Sequence, residues 1–195
     1  MSALFTLLTH RKEFGKRSNT GRLVVDVLGD AAEQVCWERT QPPQRLIEQI
    51  ARGGVALVYP GGGDSEGQDF SEIRQFVVID GTWITARKIH QRSPYLHPLR
   101  RVSFVPAAPS QYNLRKNQKE SGLCTAETVV EVLRVAGRHA EADELYRRFL
   151  AYIKPAPAAQ SRGEPSGDLR ARAELNGPDL PDLAGLCRSA APPRR

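Results

Sequence analysis

Cysteine is scarce in this 195-residue chain: Cys36, Cys124 and Cys187 are far apart and form no CxxC pair. An odd, dispersed set of thiols excludes a disulfide framework and a four-cysteine zinc site, and it suits a reducing, cytoplasmic setting. Long apolar runs are missing too. Nothing reaches the roughly 18 consecutive apolar residues of a bilayer-spanning helix, so no membrane partner is expected. The opening MSALFTLLTHRKEF has only a brief apolar run and no small-residue cleavage site, so no secretory signal is expected. The four histidines lack metal-ligand spacing, His90 and His97 having no cysteine nearby, and no metal is expected. His10 and His139 read as structural or exposed.

Acidic residues vanish from one internal stretch. Between Gly81 and Lys119 the chain carries Arg87, Lys88, Arg92, Arg100, Arg101, Arg115, Lys116 and Lys119 with no Asp or Glu, against totals of 28 basic and 22 acidic residues and a net charge of +6. A solvated basic face is one reading. The other is a polyanion, RNA or DNA, bound by charges that otherwise repel one another, with Tyr95, Tyr112, His90 and His97 interleaved as stacking surfaces. The second is favoured.

From Pro155 onward the sequence holds half of the 14 prolines and no aromatic residue. Such a segment buries too little apolar surface to offset its ordering entropy, so residues 155–195 are expected to be a largely disordered tail. Residues 1–154 are then one domain. Leu4–Leu8 suggests a buried strand. Thr20–Leu28 carries a helical face of Leu23, Val24, Val27 and Leu28, capped by Ser18 or Asn19. Gln34–Trp37 suggests a strand, and Pro42-Pro43 introduces the helix RLIEQIARGG. Val55–Tyr59 and Gln75–Asp80 read as buried strands, and the segment after Asp80 as a helix with Trp83, Ala86 and Ile89 on one side. Val102–Val105 reads as another strand. Two helices follow, from Thr125 to the stop at Gly137 and from His139 to Ile153. Strands alternating with helices predict an α/β fold with a mostly parallel sheet flanked by helices.

Ligands of open α/β sheets sit beyond the carboxyl ends of the strands. Three segments fall there: Tyr59–Gly67, Asp80–Trp83, and Tyr112–Glu127. The glycine-rich first segment has no lysine for a P-loop, and Glu66 stands where a dinucleotide fingerprint needs its last glycine. It is a flexible turn or a loop that approaches a ligand closely. Asp80 is either the N-cap of the next helix or a carboxylate that takes a proton or fixes a substrate amide. Trp83 belongs to the core or to a site. Cys124 precedes a helix, where a thiolate is favoured, but a small buried or capping role also fits. Glu127 in the first helical turn has the macrodipole as its plain explanation. Arg115-Lys116 is a surface pair or a phosphate contact.

Taken together the segments resemble the DTW-domain family, whose D-x-T-W signature stands here as Asp80-Gly81-Thr82-Trp83. Further matches are Ser18-Asn19-Thr20-Gly21, Tyr59-Pro60-Gly61, Ala86-Arg87-Lys88, Tyr112-Asn113-Leu114-Arg115-Lys116 and Cys124-Thr125-Ala126-Glu127. The resemblance covers residues 4 to about 150. It departs at Cys124, where serine is usual, and it begins after the cysteine-rich zinc-binding segment of many bacterial members, so a short form is expected.

The resemblance implies a tRNA-uridine aminocarboxypropyltransferase with a SPOUT-like, trefoil-knotted site for S-adenosylmethionine. Such an enzyme moves the 3-amino-3-carboxypropyl group to N3 of a uridine in tRNA and releases 5′-methylthioadenosine. Carried onto this chain, Asp80 is the base or N3–H acceptor, Thr82 orients it or the methionine carboxylate, and Trp83 shapes the pocket. Leu57, Tyr59, Pro60, Gly61, Asp80, Leu114, Cys124, Thr125 and Glu127 fall at the cofactor. Arg87, Lys88, Arg115 and Lys116 contact RNA phosphates. A SPOUT-like RNA methyltransferase and a non-catalytic RNA-binding module are the rival readings, and dimerisation stays open.

Overall fold

A computed structural model describes residues 4–60, 70–104, 109–112 and 122–154. The expectations for Gly61, Leu114, Arg115, Lys116 and the tail at 155–195 fall outside the described residues. Every described strand and helix belongs to one compact unit, Met1–Ile153.

The chain runs β1 (Phe5–His10), α1 (Arg11–Phe14), α2 (Thr20–Leu28), β2 (Ala32–Trp37), α3 (Gln44–Ala51), β3 (Val55–Val58), β4 (Gln75–Asp80), α4 (Trp83–Gln91), β5 (Arg100–Val102), α5 (Thr125–Val135) and α6 (His139–Ile153). The strands form one sheet in the order β2-β1-β4-β3-β5, and every neighbouring pair is parallel. All strands therefore point their carboxyl ends to one edge. The central β4 is buried at all six residues, as expected of a strand covered on both faces.

Side-chain alternation along the strands sorts the core into two layers. Phe5 and Leu7 of β1 and Phe76 and Val78 of β4 join residues of α2, α5 and α6, with Val129, Leu133, Leu145 and Phe149 among them. Leu8, Val77 and Ile79 face the other way, onto Leu46 of α3 and Ala86 and Ile89 of α4. Each such fully buried large side chain contributes about 1.5–3 kcal/mol.

Two expectations shift. The last strand is Arg100–Val102, not Val102–Val105, because its pairing partners are Ala56–Val58. It is an edge strand, where charged residues such as Arg100 and Arg101 are tolerated, so its apolar pattern is weak. Trp83 does not join Ala86 and Ile89 in the core; it is 44% exposed. It opens α4 just beyond the end of β4, where no sheet lies beneath it.

Candidate functional site

Alternation sends Asp80, the last residue of β4, to the α2/α5 side of the sheet, where it is 1% exposed. Four side chains donate to its carboxylate. Thr125 Oγ1 reaches Oδ1 at 2.7 Å; Asn19 Nδ2, Thr9 Oγ1 and Gln34 Nε2 reach Oδ2 at 2.9, 3.0 and 3.1 Å. The Thr9 hydroxyl also lies 3.2 Å from Leu7 O, but it has one proton and the charged acceptor is the stronger. Asn19 is used completely: its amide donates to Asp80 and to Glu13 O, and its oxygen accepts from Arg22 N to cap α2. Asp80 thus ties β1, β2, α2 and α5 to the end of β4. It does not cap α4, as one sequence reading had it. Thr82 does that, accepting from Thr85 N at 3.2 Å.

Gly21 supplies the room. A Cβ there would stand 2.6 Å from Asp80 Oδ2 and 3.0 Å from Asn19 Oδ1, so only glycine allows α2 to approach the carboxylate this closely. The start of α2 is held again by Tyr112, whose hydroxyl donates to Ser18 O at 2.6 Å, and by Thr20 Oγ1, which accepts from Ala126 N.

Glu127 is a second internal acceptor. Its carboxylate receives Ser110 Oγ at 2.6 Å, Gln111 N at 2.7 Å and Cys124 N at 2.9 Å. The macrodipole explanation is therefore incomplete, because the residue also fastens the Ser110–Tyr112 segment to the start of α5. Cys124 is the buried N-cap of α5, and burial, aided by the Glu127 carboxylate, pushes its thiol up to about 12. That removes the thiolate reading and leaves the small, buried, capping one.

The other sequence-predicted residues divide. Leu57 is fully buried, its side chain in the α3/α4 core layer and its backbone within the ladder between β4 and β5. Tyr59, half-buried just past β3, stacks with Trp83 at 5.7 Å and with His90 at 4.4 Å between centroids, and the Arg101 guanidinium sits 5.9 Å from its ring. Pro60, Arg87 and Lys88 are exposed. Thr82 caps α4 and bonds with Thr85 at 2.9 Å. Tyr112 is buried beside Phe149, and Tyr95 packs against the α3/α4 core layer. Neither is the open stacking surface that the basic stretch suggested; among its described residues the exposed rings are Trp83 and His97.

The DTW-domain family model matches residues 1–155, most of the chain. The chain belongs to the DTW family. A curated relative, tRNA-uridine aminocarboxypropyltransferase 2 of Drosophila melanogaster, is 42% identical over 59 residues, which is 30% of this chain and 24% of that protein. The chain thus matches about a quarter of that relative's length. No solved structure matches the chain. Among the described residues of this DTW domain no cluster of His, Cys, Asp and Glu could hold a metal ion, and no helix is long and apolar enough to cross a membrane.

Two partners of the DTW aspartate were missed in the sequence, Thr9 and Gln34. The only signal available was a polar residue at an inward position of a buried strand, which becomes meaningful once strand register is known. Asn19 was noted as a cap, but its second role, 61 residues away at Asp80, has no local signature.

Proposed function

We propose that this DTW protein transfers the 3-amino-3-carboxypropyl group to N3 of a uridine in tRNA. One observation supports the reading most. Family segments far apart in sequence, at Asn19, Asp80 and Thr125, converge by hydrogen bonds on one carboxylate at the carboxyl edge of a parallel sheet. That is where open α/β sheets bind ligands. The relative named for this activity supports the same reaction class.

The donor set at this edge suits S-adenosylmethionine. The stacked Tyr59–Trp83 rings fit an adenine face or a sulfonium cation, and Arg101, over the Tyr59 ring, fits a carboxylate. S-adenosylmethionine would supply an activated aminocarboxypropyl carbon, leaving as 5′-methylthioadenosine. In this reading the site is completed by a SPOUT-like trefoil knot, with backbone groups at Tyr59–Gly61, Leu114 and Cys124–Thr125 around the adenosine.

Uridine N3–H must give up its proton as nitrogen attacks. Asp80 Oδ2 is saturated by three donors, whereas Oδ1 holds only Thr125, so Oδ1 is the oxygen with capacity left to accept N3–H. Thr125 would share or yield its bond as the base arrives. Trp83 would shape the pocket, and Arg87, Lys88, Arg115 and Lys116 would meet phosphates. Choosing the aminocarboxypropyl carbon over the methyl is a matter of orientation, which a rigid, cross-tied strand edge favours.

The test is a split-label assay with unmodified tRNA and S-adenosylmethionine labelled in the carboxyl or the methyl group. Carboxyl label in tRNA with release of methylthioadenosine is expected. Methyl label alone would make the protein a methyltransferase, and neither label would favour an RNA-binding module.

A further inference from the structure

The same strand edge carries a second feature on its opposite face. His10 ends β1 and Trp37 ends β2, paired in register, and alternation turns both away from Asp80 toward α4. Between them, α1 and α4 lies a cleft of about 380 Å³. Its apolar floor is Trp37 and Ile89, and the His10 ring leans on Trp37 at 5.8 Å. Trp37 is anchored by its Nε1 donating to Ser93 Oγ at 2.9 Å. His10 Nδ1 accepts from Lys12 N at 3.1 Å, which leaves the other ring nitrogen as a donor.

Four cations line the cleft: Lys12 and Lys16 from the α1 side, Lys88 and Arg92 from α4. The one acid in the lining, Glu13, pairs with Lys16 at 2.6 Å. Lys12, Lys88 and Arg92 are exposed and have no ion-pair partner among the described residues. The hydroxyls of Thr82 and Thr85 complete the lining. An aromatic floor under a cationic rim matches a nucleotide, with a π-face for the base and charges for its phosphate.

We propose that this cleft holds a nucleotide of the substrate RNA that lies outside the reacting position. The proposal rests on the tRNA-directed reading above and extends it to residues that no signature segment contains: His10, Lys12, Lys16, Trp37 and Arg92. Two observations favour an RNA chain over a free nucleotide. Lys88 and Arg92 of the cleft share the acid-free α4 and its C-cap with the exposed Arg87, more positive charge than a single phosphate needs. Thr82 at its rim is also two residues from Asp80, so one strand of RNA can occupy the cleft and present its neighbour at the reacting edge.

Binding of a fluorescent, unmodified tRNA transcript to the full chain, measured across a salt series, tests this. The variant Lys12→Ala/Arg92→Ala should bind about tenfold or more weakly, with a slope of log affinity against log salt shallower by about 2. The matched variant Arg147→Ala/Arg148→Ala removes the same charge from α6, on the other face of the sheet, and should stay within about twofold by the same relation. Trp37→Phe keeps a ring and should bind more tightly than Trp37→Ala at equal salt. Equal losses in the two double variants, or none, would overturn the cleft, as would failure of the wild-type chain to bind tRNA. Free uridine 5′-monophosphate competing as strongly as tRNA would overturn the RNA assignment in favour of a nucleotide pocket. Label transfer in the split-label assay with an unaffected Lys12→Ala/Arg92→Ala variant sinks the cleft alone. The expected binding pattern without any transfer sinks the catalytic reading alone.

Discussion

At the residue scale the molecule turns on a carboxylate whose neighbours are all donors. Replacing Asp80 by Asn leaves one acceptor oxygen, which can take the place of Oδ2, and an NH2 that meets the Thr125 hydroxyl turned as acceptor. No donor is stranded, but the charge-assisted bonds become neutral ones, each weaker by about 1 kcal/mol. Asp80→Asn is therefore expected to lose about 1–3 kcal/mol of stability as well as turnover. A denaturant melt beside the transfer assay checks both; a variant with wild-type stability and no turnover would assign Asp80 to chemistry alone. Gly21→Ala tests the same spot from the other side. Its added carbon, 2.6 Å from Asp80 Oδ2, must push α2 or the carboxylate aside, and a loss of about 1–3 kcal/mol is expected in the same melt. No loss would mean that α2 moves freely.

At the scale of elements, the start of α5 is held by a capping box in which Cys124 and Glu127 answer each other. Glu127→Ala removes the acceptor of Gln111 N and Cys124 N. Faster amide exchange at those two positions is expected, with slower gains elsewhere in α5, and Glu127→Gln should fall between because it keeps one acceptor oxygen. Unchanged exchange would return Glu127 to the simple macrodipole role. Helices were the elements most legible in the sequence: α2, α5 and α6 follow their apolar periodicity almost to the residue, and Asn19 caps α2 as expected. Strand β5 was misread by two residues because an edge strand shows little hydrophobic pattern. Trp83 was grouped with Ala86 and Ile89 because helical spacing says nothing of where the sheet underneath stops. Thr9 and Gln34 were invisible because the information that matters for them is register between strands, which is a property of the sheet.

At the scale of the whole molecule, the α4 face of the sheet ties stability to pH. On the α4 side burial, then the Arg101 guanidinium and His97, hold the His90 imidazole below its ordinary 6.5. The unfolded chain then takes up that proton first, so the stability tied to neutral His90 is fully present above pH 6.5 and is lost as pH falls through the lower folded value. The melting temperature is expected to drop between pH 7 and 5, and to drop less in His90→Gln. Parallel pH profiles for the two proteins would acquit His90.

Strand alternation makes the spacing inside β4 a constraint in its own right. Val77 and Ile79 point to one layer, and Phe76, Val78 and Asp80 to the other. One residue inserted or deleted between Phe76 and Asp80 would exchange those sides. The carboxylate would turn toward the cationic cleft, and an apolar side chain would face Thr9, Asn19, Gln34 and Thr125. A strand six residues long thus carries a reading frame of its own: length changes belong in the loops on either side of it, and within β4 only side chains are free to vary.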